Sequence, residues 1–338
     1  MIHAHSLGRA ARYFPERPAL AAAKTRTTFQ ELHDRVGCIA AALDRHGFKA
    51  GDRLALLLPN EPDYIELVYA CAWLGVIAVP LNTRLSVKEI DVILSDANPR
   101  GLIRHSSLPV PTAQVPWQVV LDREPLDRRS DSVPDPIYDL NAILALIYTS
   151  GTTGRPKGVE MRHANILENV YHTNFWFPLE EGAMHLHAAP IFHIADFPFM
   201  FAAPAFGACQ VTIPKFNPQT FCETVQRERV THTVLVPTMI NMLTQFPELQ
   251  KYDLSTLDIW DTADLRWLLN LSIGRDRFCR MLNSFRSTDS AKPVFSLACS
   301  ITNTPRTSSL LAVGLASEST CALSIQQERK LKLEKLAN

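Results

Sequence analysis

The chain has 338 residues, 46% of them hydrophobic and 20% charged, enough to bury a substantial core in one large α/β domain or two smaller ones. Its formal net charge is zero, which gives no footing for a nucleic-acid or anionic-membrane partner, and no run is long and apolar enough to span a bilayer. Seven cysteines without metal-like spacing fit reduced thiols, and the opening around His3, His5 and Arg9 lacks an apolar signal core, so a cytoplasmic location is expected.

Residues 1 to about 50 predict two helices around a short strand pair, with Ala19 to Ala23 and Arg26 to Phe29 flanking a turn. Thr28 reads as a helix cap ahead of Glu31, and Leu32, Val36, Ile39, Ala40 and Leu43 follow at helical spacing until Gly47. Arg53 to Asn60 predicts a buried strand and turn. Tyr64, Leu67, Val68, Cys71 and Leu74 form a helix stripe ending at Gly75, then Val76 to Leu81 a second buried strand. Ser86 caps a helix over Val87 to Leu94. Strands alternating with helices of this length predict parallel βαβ units and an α/β fold. Residues from about 105 to 140 read as a connection with one strand, Gln118 to Leu121. Farther on, helices are expected at His163 to Asn174, Pro218 to Arg229 and Thr238 to Phe246, with strands at Met184 to Phe192, Cys209 to Ile213 and Thr233 to Pro237.

The most informative stretch is Leu144 to Val159, an apolar run followed by Tyr148-Thr149-Ser150-Gly151-Thr152-Thr153-Gly154-Arg155-Pro156-Lys157-Gly158. Glycine lets the backbone approach a ligand closely and adopt conformations closed to other residues, which is the role expected of Gly151, Gly154 and Gly158. Backbone N–H groups and the hydroxyls of Thr149, Ser150, Thr152 and Thr153 supply anion donors, and Lys157 a compact cation. The string reads as a polyphosphate cradle; the bland alternative is a solvated turn. It is not a Walker A loop, because Lys157 precedes Gly158, nor a Rossmann fingerprint, because the glycine spacing differs.

This ordered string resembles the signature of the adenylate-forming (AMP-binding) superfamily. Tyr13 to Leu20, Leu58-Pro59-Asn60, Pro80-Leu81-Asn82, Pro190-Ile191-Phe192-His193, Thr233 to Thr238 and Tyr252 to Leu257 resemble further family landmarks, closest to the acyl-CoA synthetase branch. The resemblance implies the N-terminal part of an adenylate-forming large domain over residues 1–258. Past Leu257 the family's Tyr-Gly-x-Thr-Glu and Thr-Gly-Asp strings and its C-terminal lysine domain are not found. Residues 259–338 read as a divergent tail with one charged helix, Leu323 to Leu336, and the lost pattern suggests truncation, a shifted frame or an alternative exon.

The chemistry so implied is activation of a small-molecule carboxylic acid, fatty or aryl, by MgATP to an acyl-adenylate, followed by transfer to coenzyme A. Thr149, Ser150, Gly151, Thr152, Thr153, Gly154 and Lys157 would hold the β- and γ-phosphates, while His193 and Phe192 would border the acid. Two rivals stand beside this: an adenylation domain that loads a carrier-protein thiol, and a non-catalytic nucleotide-binding remnant. Phe197, Phe199, Met200 and Phe201 fit an apolar acid wall or ordinary core equally well. Alternation in His185-Leu186-His187 puts both imidazoles on one face of a strand. With His193 they could be read as a metal set, but no carboxylate pair or cysteine completes a zinc pattern, so no metal site is expected. Asp196 and Glu160 lack a partner in sequence that would mark them as acid or base.

Overall fold

The computed structural model describes residues 2–23, 25–127, 132–149 and 156–260. The expected tail from residue 261 onward, including the Leu323 to Leu336 helix, lies outside the described residues. Local chemistry sets the first elements. After α1 (Ile2–His5) and α2 (Leu7–Tyr13), the hairpin of β1 (Pro18–Ala22) and β2 (Thr25–Thr28) leads straight into α3 (Phe29–Arg45). Thr28 Oγ1 accepts the Glu31 N–H at 3.2 Å while the Glu31 carboxylate accepts the Thr28 N–H at 2.8 Å. This reciprocal cap satisfies two backbone donors that a helix start otherwise leaves free. Ser86 and Glu89 repeat it at the start of α5 (Val87–Ala97). Between them lie β3 (Arg53–Leu57), α4 (Pro62–Leu74) and β4 (Ile77–Pro80), with α4 stopped at Gly75. Gly75 adopts φ +73°, a conformation that costs a side-chain-bearing residue steric strain, and an added Cβ would lie 2.7 Å from the Ile137 side chain.

The chain continues through β5 (Gly101–Arg104), β6 (Trp117–Val120), β7 (Ile143–Thr149), β8 (Lys157–Arg162) and α6 (His163–Trp176). Then come β9 (Met184–His187), α7 (Phe199–Ala205), β10 (Cys209–Thr212), α8 (Pro218–Glu228), β11 (His232–Val234), α9 (Pro237–Thr244) and β12 (Asp258–Trp260). The described strands make two six-stranded sheets. The first runs β6-β5-β3-β4-β7-β8 and the second β12-β11-β9-β10-β1-β2. Both are parallel except at one edge, where β8 runs antiparallel to β7 and β2 to β1.

The apolar runs of β3 and β4 feed two layers of core, as a strand buried on both faces requires. Leu54, Leu56 and Ala78 face the large cluster that also holds Leu20 of the second sheet, whereas Ala55, Leu57, Ile77 and Val79 meet Ile90, Ile93 and Leu94 of α5. Helix α4 is buried from Tyr64 to Leu74 and touches β4 of one sheet and β1 of the other. Each large side chain so enclosed contributes roughly 1.5–3 kcal/mol. The helix also buries Glu66, whose carboxylate meets the Arg35 guanidinium at 2.7 Å, so the charge is paired rather than stranded. Ser6 Oγ and the Tyr69 hydroxyl donate to the carbonyls of Phe201 and Met200 at 2.6 and 2.9 Å, tying the N-terminal helices and α4 to α7. No helix among the described residues is long and apolar enough to cross a membrane.

The structure departs from the sequence expectations in several places. β5 forms at 101–104, between the expected helix and connection, where no element was expected; a Cβ at its first residue, Gly101, would lie 2.6 Å from the rings of Phe48 and Trp117. β8 carries only Val159 and Met161 at half-buried positions, too weak an alternation to announce a strand. α7 is buried at every position and so has no polar face to set a helical period. β9 ends at His187, not Phe192, because residues 188–198 turn away from the sheet.

Candidate functional site

Two pieces of chain carry the expected site residues, one at the edge of each half of the fold's chemistry. The first is the β7–β8 hairpin. Its register runs from Ile143 opposite Arg162 to Thr149 opposite Lys157, so Thr149 and Lys157 meet at the mouth of the loop 150–156. Both are exposed. Ser150, Gly151, Thr152, Thr153 and Gly154 lie outside the described residues. Among the described residues, the next helix after β7 is α6, which begins at His163, after β8.

Tyr148 and Gly158 face each other in this register. Gly158 was expected to supply unusual backbone freedom, but it is not among the positive-φ glycines; a Cβ there would lie 3.0 Å from the Tyr148 ring. Its missing side chain makes room for the aromatic ring. The Tyr148 hydroxyl in turn donates to Asp96 at 2.5 Å, bracing the hairpin on the end of α5. Burial, then the bond to the Asp96 carboxylate, push that hydroxyl's pKa up, so it stays a donor.

The second piece is the loop 188–198 after β9. Asn60, at the end of the Leu58-Pro59-Asn60 turn, is buried and holds the loop's start: its Nδ2 donates to the Ala189 carbonyl at 2.6 Å and its Oδ1 accepts the Ile191 N–H at 3.0 Å. Phe192 follows, 9% exposed, and then His193, which is exposed. The His193 Nδ1 accepts the Ala195 N–H at 3.2 Å, which leaves the proton of the neutral ring on Nε2. Partial burial lowers the imidazole's pKa from its ordinary value, favouring that neutral form. Of the apolar neighbours, Phe197, Met200 and Phe201 are fully enclosed core, and Phe199 stacks on His185 at 4.5 Å between ring centres.

Asp196, without a visible partner in sequence, has two. Its carboxylate meets His185 Nε2 at 3.3 Å and His187 Nδ1 at 2.9 Å, and His187 Nε2 lies 3.1 Å from Gln210 Oε1 on the neighbouring strand β10. All four side chains are buried. The alternation that set both imidazoles on one face of β9 holds, but His193 is not part of the cluster; the third potential ligand is Asp196. Burial alone would raise the Asp196 carboxyl, yet the neighbouring His187 and hydrogen bonds from both imidazoles outweigh it and hold the group below its usual range. Burial drives His185 the other way, to about 4, so its ring is neutral near pH 7. The sequence signal that could have found the cluster is the shared face of His185, His187 and, across β10, Gln210 paired in register with His185.

The comparisons with known proteins agree with this architecture. The family model described as "AMP-binding enzyme" matches residues 7–290, running past Leu257. A feruloyl-CoA synthase from Amycolatopsis sp is 36% identical over 254 residues, covering 74% of this chain and 51% of that protein. The inhibitor-bound N-terminal domain of FACL13 from Mycobacterium tuberculosis superposes with a TM-score of 0.68 at 27% identity, over 76% of this chain and 68% of that one. O-succinylbenzoate coenzyme A synthetase (MenE) from Bacillus subtilis, in complex with ATP and magnesium ion, gives 0.64 at 29% identity over 72% and 51% of the two chains. The chain spans about half the length of the curated relatives it matches.

Proposed function

The chain belongs to the AMP-binding enzyme family, and on that premise we propose that it serves ATP-dependent activation of a carboxylic acid, with coenzyme A as the thiol acceptor. The carboxylate oxygen attacks the α-phosphorus of MgATP, the bond to the β-phosphate oxygen breaks, and pyrophosphate leaves. The thiol then attacks the acyl carbon, loses its proton and expels AMP. Phosphoryl chemistry of this kind asks the protein mainly for positioning and charge neutralisation. Thr149, Ser150, Gly151, Thr152, Thr153 and Gly154 grip the β- and γ-phosphates, and Lys157 neutralises the leaving pyrophosphate. A magnesium ion carried by the nucleotide would supply further positive charge for the same step. Phe192 and His193 border an acid with a fatty or aryl body, and residues 1–258 carry this machinery.

The observation that supports this reading best is the β7–β8 register, which sets Lys157 against Thr149 at the mouth of the Gly/Ser/Thr loop. The acid class draws support from relatives named for feruloyl and succinylbenzoate substrates. Hydroxylamine trapping tests the first step. Purified chain, MgATP and a panel of acetate, fatty acids and aryl acids such as ferulate should yield an acyl hydroxamate with at least one acid. Saturable MgATP binding with no hydroxamate from any acid would replace this reading with a nucleotide-binding module.

A further inference from the structure

The loop that carries His193 is fastened at both ends by buried polar side chains. Asn60 holds its start through Ala189 and Ile191. At its other end the backbone closes on itself: the His193 carbonyl accepts the N–H groups of Asp196 and Phe197 at 3.1 and 3.0 Å. That turn reaches the sheet through the Asp196 carboxylate, which bridges His185 and His187 of β9. We propose that Asp196 is a positioning residue for His193, fixing the loop beside the acid through its bonds to the two strand histidines. The proposal rests on the acid-activation reading above.

The case for a purpose beyond stability is physical. A buried carboxylate and two imidazoles cost desolvation, and well-packed apolar side chains of similar volume often stabilise as much or more. What apolar packing does not supply is direction. Two bonds to one carboxylate, from residues two apart on a rigid strand, fix the orientation of Asp196 and therefore of the turn that closes on the His193 carbonyl. Only Ile194 and Ala195 separate the exposed imidazole from its anchor, so little backbone freedom remains between them. Precision of this order is what a group bordering a reacting acid needs.

Asp196→Asn keeps the volume and one acceptor but loses the charge and the second acceptor. Amide exchange in the full chain should accelerate roughly tenfold or more over residues 193–197, while α4 and β10 keep their protection. In carboxylate-dependent ATP–pyrophosphate exchange, KM for the acid should rise severalfold with a smaller change in kcat. In a His193→Ala background, Asp196→Asn should add no further rise, because the group it positions is gone. Uniform loss of protection across the chain, or additive effects of the two substitutions, would overturn the proposal in favour of a purely structural network. Stoichiometric zinc in purified wild type, lost in Asp196→Asn, would overturn it in favour of a metal centre of His185, His187 and Asp196. A wild-type chain silent with every acid would overturn the proposed function alone, since amide exchange decides the anchor independently.

Discussion

Asn60→Ala removes a side chain whose hydrogen bonds all go to the backbone of a segment more than a hundred residues downstream. Its amide donates to the carbonyls of Ala189 and His187 at 2.6 and 3.3 Å and accepts the Ile191 N–H at 3.0 Å. Asn60 is only 7% exposed, so water does not readily take its place. Truncation strands at least the Ile191 N–H and the Ala189 carbonyl, and each buried orphan costs about 1–3 kcal/mol. Part of that returns if a water fills the space of the lost amide, so the net expectation is about 2–4 kcal/mol. For a chain of this size that is a fall in Tm of roughly 3–6 °C. Urea titration and calorimetry of wild type and variant measure it directly. Asn60→Asp sharpens the test: it retains the acceptor for Ile191 but turns an anion toward the Ala189 carbonyl, so it should be as unstable as Asn60→Ala at pH 7 and recover as the carboxyl protonates. A loss below about 0.5 kcal/mol for Asn60→Ala would refute the reasoning, since that is the range of an uninvolved surface residue.

Acid should destabilise the protein before its carboxylates titrate. Burial holds His3, His163 and His185 at about 3, 4 and 4 against an ordinary 6.5. The unfolded chain therefore takes up protons that the folded chain refuses: the stabilisation is whole above pH 6.5 and drains as pH falls from there toward 4. At pH 5 each group accounts for about 2 kcal/mol, several kcal/mol in all. Asp196, with a depressed carboxyl, adds its own loss only below its ordinary 3.8. A Tm that stays flat from pH 7 to pH 5 would contradict this. Gly101→Ala should cost about 1–3 kcal/mol by overpacking, because the new methyl falls 2.6 Å from the rings of both Phe48 and Trp117; denaturant midpoints would register it, and an unchanged midpoint would show that the rings move aside freely.

How much of this was legible beforehand follows from the reach of each signal. The caps at Thr28 and Ser86, the stop at Gly75 and the buried β3 and β4 are written within a few residues, and the structure forms each where the sequence places it. The glycine-rich string announced its family, but the pairing of Thr149 with Lys157 depends on β8, whose alternation rests on Val159 and Met161 alone. The role of Gly158 is hidden for the same reason: it lies across the ladder, in the Tyr148 ring. Asp196 looked solitary because its partners sit on a strand that the chain has already left, and Asn60 because its partners lie more than a hundred residues downstream. Tertiary pairing of polar groups leaves no periodic trace. Only the side-chain alternation of β9 hinted at it.

The most direct test of the central claim is carboxylate-dependent ATP–pyrophosphate exchange by the purified chain, compared with Lys157→Ala. Acid activation at the β7–β8 loop predicts exchange with at least one fatty or aryl acid, reduced at least tenfold in the variant, as expected when a charge-assisted contact to the leaving pyrophosphate is lost. Equal exchange in the two proteins would contradict the role given to Lys157. A folded wild-type chain with no exchange for any acid would contradict the claim itself.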